Sequence, residues 1–279
     1  MQHEGSLAQR VIATGGIMLA TLTYTLDSTI ANIALPHMQG SVSASSDQMV
    51  WVLTSYMVAA AIMTPLSGWL SLKIGRKFLF QVSTMTFMVA SMLCGTATSL
   101  PEIVAFRVLQ GLAGASLLPL SQSLMLDMWP ARRIPVLMAI WSAVVTAAPI
   151  IGPTLGGYLT DTLSWRWAFY INVPLDLAAA ALVQVFLQHE EHGQQRPFDW
   201  LGFIGIVMFS VGIQLTMERG EIKDWFDSTE IQIEATVAVL GLYLFVLQMF
   251  TARNPFFQRE LFRDRNFNFS QVMTLLLGS

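Results

Sequence analysis

The sequence predicts an all-α membrane protein with many spans, and three observations carry that prediction. Hydrophobic residues make up 54% of the 279 residues and charged residues only 12%, whereas soluble domains carry about 25% charged residues. Apolar runs of the length a spanning helix needs, about 20 residues, recur along the chain. The stretch Ala148–Gly157 places Pro149, Gly152, Pro153, Gly156 and Gly157 inside one such run. Prolines at those positions would break a soluble helix. A membrane helix tolerates them, because neighbouring helices and side chains re-satisfy the freed backbone groups, and the small residues let another helix approach closely.

The spans follow in order. Residues Met1–Arg10 are short and polar, and the run after them is too long for a signal-peptide core and lacks a clear cleavage site, so Val11–Leu35 reads as a retained first span. Met49–Leu72 and Phe78–Ser99 are the second and third, joined by the loop Gly68–Lys77, where Gly68 and Gly75 allow a tight turn and close packing and Lys73, Arg76 and Lys77 face the cytoplasm. Ile103–Met128 is the fourth, Ile134–Thr160 the fifth and Trp167–Leu187 the sixth. The polar stretch His189–Asp199 then separates Trp200–Met217 and Ile231–Thr251 from the rest. A ninth apolar run begins near Phe267 and stops at Ser279, which reads as a fragment. The expected organisation is an N-terminal six-span bundle over residues 1–188, a cytoplasmic linker over 189–199, two extra helices over 200–252, and a basic cytoplasmic segment opening the next helix over 253–279.

Loop charges set the orientation. With the N-terminus inside, the cytoplasmic segments hold Arg10, Lys73, Arg76, Lys77, Arg132, Arg133, Arg196, Arg253, Arg259, Arg263 and Arg265. The outer segments hold Arg166, Arg219 and Lys223. Lys and Arg favour cytoplasmic loops, so this asymmetry places the N-terminus in the cytoplasm.

Composition and motifs also exclude. The net charge of −3 is spread over short loops and forms no nucleic-acid footprint. Cys94 is the single cysteine and reads as a packing residue, with no metal spacing around it. His189-Glu190-Glu191-His192 is not the H-E-x-x-H pattern and lies in a polar linker, so it reads as a solvated loop and no metal is expected. No nucleophile elbow, phosphate loop or dinucleotide fingerprint is present, which argues against an enzyme and against a cofactor.

Two polar residues stand out inside the spans. Asp27 reads as the only acid well inside one, about 12 Å from the outer end of the first span at 1.5 Å per residue, with Thr23 and Tyr24 on the same face. Such a charge is costly and usually marks an ion or proton pathway, the other reading being a static hydrogen-bonded acid. Arg107 lies about 6–10 Å below the outer surface on the fourth span, at a depth similar to Asp27. Gln110, Gly111 and Gly114 share its face. Arg107 then acts as a fixed positive field beside a titrating neighbour, or it snorkels to the interface.

These motifs resemble the major facilitator superfamily, and more narrowly its 14-helix drug:proton antiporter branch of the EmrB/QacA type, with the EmrB-like pattern nearest. Ala148–Gly157 is similar to that branch's antiporter motif on helix 5, Gly68–Lys77 to its loop between helices 2 and 3, and Arg107–Gly111 with Gly114 to its helix 4 motif. Leu26–Pro36, Trp165–Pro174, Asp199–Gly202 and Arg219–Ser228 are similar to further segments of the branch. One position departs: Leu72 stands where the loop motif often has an acid thought to help lock the cytoplasmic side. The resemblance implies a major facilitator fold and a proton-coupled exporter of hydrophobic or amphipathic drugs in a bacterial inner membrane. It implies proton coupling by Asp27 and Arg107 and gating by the glycine and proline motifs. It also implies a periplasmic membrane-fusion adaptor and an outer-membrane channel as partners. A non-transporting scaffold or sensor, or an importer, on the same fold are the other readings.

Overall fold

A computed structural model describes residues 6–187, 197–252, 255, 256, 265 and 268–270. Among these every regular element is helical. The elements are α1 (Leu7–Ser41), α2 (Ser46–Ile74), α3 (Arg76–Thr96), α4 (Leu100–Gly114), α5 (Leu117–Met128), α6 (Ile134–Thr162), α7 (Trp167–Tyr170), α8 (Asn172–Phe186), α9 (Trp200–Arg219) and α10 (Thr229–Thr251). The linker stretch His189–Arg196, including the His189–His192 string, lies outside the described residues, as does nearly all of the expected ninth span.

Seven helical stretches are long and apolar enough to cross a membrane: Ser46–Ile74, Arg76–Thr96, Leu100–Met128, Ala131–Thr162, Trp167–Phe186, Trp200–Arg219 and Thr229–Thr251. They coincide with the second to eighth expected spans. The first helix is not among them. It is 35 residues long, or about 52 Å at the α-helical rise, but threonines, glycines and Asp27 dilute its apolar run. It also continues through Pro36 to Ser41. Asp27 is therefore about 21 Å from the C-terminal end of the helix at Ser41, further than the sequence suggests. The fourth span is two helices, α4 and α5, parted at Ala115–Ser116, and the sixth is α7 and α8, parted at Ile171.

Local chemistry sets the ends. Ser6 Oγ accepts from the Gln9 amide at 3.3 Å while Gln9 Oε1 accepts from the Ser6 amide at 2.9 Å, a capping box that starts α1. Ser45 and Gln48 repeat the device at the start of α2. Asp199 caps α9 by accepting from the Gly202 amide at 3.0 Å. Gly75, at φ +90°, ends α2 and begins α3 in a conformation that suits glycine. The Trp165–Arg166 turn is stapled to other helix ends: Trp165 Nε1 donates to Ser41 Oγ at 3.0 Å, and Arg166 Nη2 donates to the Ala97 carbonyl at 3.1 Å.

The chain forms two compact units, Met1–Gln194 and Gln195–Ser279. In the first, α1 packs against α2, α5, α6, α7 and α8, α2 packs against α4, and α3 packs against α4 and α8. Two apolar clusters fill it. One gathers Ala13, Ile17 and Ala20 of α1 with Phe80, Phe87 and Leu124. The other gathers Ile30, Ala31 and Ala34 of α1 with Ile103, Trp165 and Phe169. Thr23 and Asp27 fall where α1 passes from one cluster to the other. The second unit is a hairpin in which glycines permit backbone contact: a Cβ on Gly205 would lie 2.7 Å from the Phe245 nitrogen, and one on Gly212 2.8 Å from the Ala238 nitrogen. Arg219 pairs with Glu230 at 2.5 Å and Glu234 at 3.0 Å near its turn.

Candidate functional site

The site is built where five helices of the first unit meet. Asp27 on α1 is 1% exposed and Arg107 on α4 is fully buried. Arg107 Nη1 donates to Asp27 Oδ2 at 2.6 Å. Gln110, one turn further along α4, donates from Nε2 to Asp27 Oδ1 at 2.8 Å, and Asn172 on α8 donates from Nδ2 to the same oxygen at 2.8 Å. The carboxylate thus accepts three hydrogen bonds, one of them from a cation, which is what a buried anion requires.

A second layer holds these donors in place. Arg107 Nε donates to the Val52 carbonyl of α2 at 3.1 Å, and Nη1 also donates to Gln110 Oε1 at 2.8 Å. The guanidinium lies 4.0 Å over the Tyr56 ring of α2 and 5.8 Å from the Phe169 ring, so a cation–π contact helps carry its charge. Asn172 Nδ2 also donates to Ser91 Oγ on α3 at 3.0 Å, and Ser91 donates to the Phe169 carbonyl at 2.9 Å. Cys94 is buried with its Sγ 3.6 Å from Gln110 Oε1. Among the described residues no cluster of side chains could hold a metal ion.

Glycines let the helices close around this centre. A Cβ on Gly111 would run into the Tyr56 carbonyl, and one on Gly114 would lie 2.7 Å from the Tyr24 ring. On α6, a Cβ on Gly152 would overlap Thr29, and one on Gly156 would press on Ile30 at 3.3 Å. Pro149, Ile150, Pro153 and Thr154 point away from α1 and are exposed. Two expectations about glycine packing do not hold. A Cβ on Gly157 or Gly68 would have open space around it, because Gly157 is turned off the α1 face and Gly68 lies inside α2 and not in the turn.

The loop between α2 and α3 clips other helices at its end of the unit. Arg76 pairs with Asp127 at the end of α5. Lys77 donates to the Gln184 carbonyl at 3.2 Å and to the Leu187 carbonyl, covering the free carbonyls at the end of α8. Leu72, at the position where an acid is common, is 38% exposed, and Arg76 finds its carboxylate on α5 instead.

One reading of the sequence is overturned outright. Asp27 is not the only acid well inside a span, because Asp176 lies in the sixth and is 0% exposed. Its Oδ1 is 2.5 Å from Thr23 Oγ1. Asn172 and Ser91 also escape a reading based on single outliers. The available signal was an amide and an acid at i and i+4, on one face of an apolar span, opposite Thr23 and Asp27 at the same spacing.

Residues 17–279 match the sequence model of the Major Facilitator Superfamily. The chain belongs to the major facilitator superfamily. It is 41% identical over 270 residues to the multidrug export protein EmrB of Escherichia coli strain K12, covering 96% of this chain and 53% of that protein. It is likewise 41% identical to the multidrug export protein EmrB of Haemophilus influenzae, covering 95% of this chain and 52% of that one. The chain thus spans about half the length of the curated relatives it matches. In fold it is similar to the crystal structure of a D-xylose–proton symporter, with a TM-score of 0.57 at 14% identity over 86% of this chain and 68% of that one. In this member of the superfamily the five-helix centre is a buried ion pair, with the glycine face of α6 seated on the helix that carries Asp27.

Proposed function

We propose that this chain supplies the proton-coupling bundle of a multidrug exporter that exchanges protons for hydrophobic or amphipathic compounds. The observation that carries the reading is the Asp27–Arg107 pair, sealed among amides in a major facilitator chain 41% identical to export proteins. In the arrangement described, the Asp27 carboxyl accepts from Arg107, Gln110 and Asn172, while Arg107 Nη2 makes no hydrogen bond. A proton arriving at Asp27 from the outer side would cancel its charge and leave Arg107 without a counter-ion. The bundle would then favour an arrangement in which Arg107 is better solvated, and release of the proton to the cytoplasm would restore the first. A ligand shifts an equilibrium only by its differential affinity for two states, and here the proton supplies that difference.

Alternating access rocks two bundles about a site near the bilayer midplane, so the activity belongs to the complete transporter with a second bundle. The exposed side of α6, with Pro149, Ile150 and Pro153, suits that partner bundle and would limit leak. The chain's 16 methionines and 17 phenylalanines suit adaptable apolar binding. We place the protein in a bacterial inner membrane with the N-terminus in the cytoplasm, working with a periplasmic adaptor and an outer-membrane channel. The test uses the complete transporter in sealed vesicles with an acidic lumen. Adding ethidium, a lipophilic cation, should release protons from the lumen in step with dye uptake. Dye uptake with no proton movement would contradict the reading.

A further inference from the structure

Asp176 has no role in the ion pair, yet its surroundings are those of a proton carrier. It lies on α8 four residues after Asn172, and Thr23 lies on α1 four residues before Asp27. The contacts Asp27–Asn172 and Thr23–Asp176 therefore form two rungs between the same pair of helices, one turn apart, or about 6 Å. The groups around Asp176 are identifiable on each packed element. Thr23 and Asp27 come from α1 and Asn172 from α8 itself, while on α3, which packs against α8, the polar side chains Gln81 and Thr84 are taken by backbone carbonyls. Gln81 donates to the Ala180 carbonyl and Thr84 to the Phe80 carbonyl. Among the described residues no Lys, Arg or His pairs with Asp176, and the charged neighbour, Asp27, has the same sign as an ionised Asp176.

Hydrogen counting bears on which form the site holds. Thr23 Oγ1 is 2.9 Å from the Ala20 carbonyl oxygen and 2.5 Å from Asp176 Oδ1. A hydroxyl has one hydrogen to give. The carbonyl can only accept. Both contacts are hydrogen bonds if Thr23 donates to Ala20 and Asp176 carries a proton that it donates to Thr23. An ionised Asp176 would instead bury a charge with a single donor, no cation, and an Oδ2 that makes no hydrogen bond, a costly arrangement.

We propose that Asp176 is a second proton-binding carboxyl of the bundle, occupied in the conformation described, and able to release its proton when α1 and α8 part. The release is a simple ionisation: the O–H bond of the carboxyl breaks, its electron pair stays on Asp176, and the proton leaves to water admitted between the helices. This deepens the proton-coupled reading and rests on it for its purpose, since two carboxyls one turn apart on one seam allow two protons to move per cycle.

The test is infrared spectroscopy of the chain in lipid vesicles, following the C=O stretch of a protonated carboxyl group. Wild type and Asp27→Asn should both show the band at neutral pH and lose it reversibly at alkaline pH, and Asp176→Asn should lack it. Thr23→Val keeps the acid and removes its partner, so it should move the band to the frequency of a carboxyl without that hydrogen bond; this arm holds even if Asp176→Asn fails to fold. No band in wild type, a band that survives Asp176→Asn, or one that persists at alkaline pH while the fold is intact would overturn the proposal. Those outcomes are independent of the transport assay. A normal Asp176 band alongside dye uptake without proton movement would remove the coupling reading and leave the protonation site standing.

Discussion

Arg107 is fully buried beside Asp27, and its removal separates the possible roles of the pair. Truncating one partner of a buried ion pair costs about 3–5 kcal/mol, because it strands the other charge. Arg107→Ala should therefore lower thermal stability in detergent by about that amount, and the loss should shrink on acidification, since a protonated Asp27 needs no counter-charge. Replacing both partners, as Asp27→Asn with Arg107→Gln, should cost less than Arg107→Ala alone, a non-additivity that a double-mutant cycle reads directly. The pair Arg76–Asp127 is different in kind. Both side chains are partly exposed, and such pairs contribute roughly 0–1 kcal/mol, so Arg76→Ala should leave the melting curve within that range. Asp27, Arg107 and Gln110 were legible in the sequence because a charge inside an apolar run is an outlier. Asp176 and Asn172 were not picked out, because the pattern that matters is a match between two helices and not a feature of one.

At the scale of elements, the fifth span shows what small residues accomplish. The sequence marks Gly152, Gly156 and Gly157 alike, yet only the first two meet α1. Helical phase makes the difference: Ala148, Gly152, Gly156 and Thr160 recur every four residues on the buried side, while Gly157 lies between that side and the exposed one. Gly152→Val would drive two methyl groups into Thr29. Overpacking of this kind costs about 1–3 kcal/mol, and because Thr29 sits two residues from Asp27 the variant should also lose transport beyond what its stability loss explains. Gly157→Val should leave the stability of the first unit nearly unchanged. The breaks at Ala115–Ser116 and Ile171 were not legible either. Apolar patterning reports that a segment spans a membrane, not whether its helix is continuous, and both breaks flank residues of the five-helix centre.

Across the whole molecule, the fold class and the membrane character were readable from composition alone, since 12% charged residues cannot cover a soluble surface of this size. What composition cannot carry is the meeting of α4 and α8 on the Asp27 carboxylate of α1, with α2 and α3 behind their donors, which depends on the packing of residues up to 145 positions apart. The first unit packs around one buried charge pair, and the proposed coupling rests on whether that pair changes state. The most direct measurement is pH-driven drug efflux from sealed vesicles by the complete transporter carrying Asp27→Asn. The variant should fold, still bind drug and still exchange it across the membrane at equal concentration, but no longer concentrate it in response to a pH gradient. Efflux still driven by the pH gradient as in wild type would contradict the claim that Asp27 couples the proton.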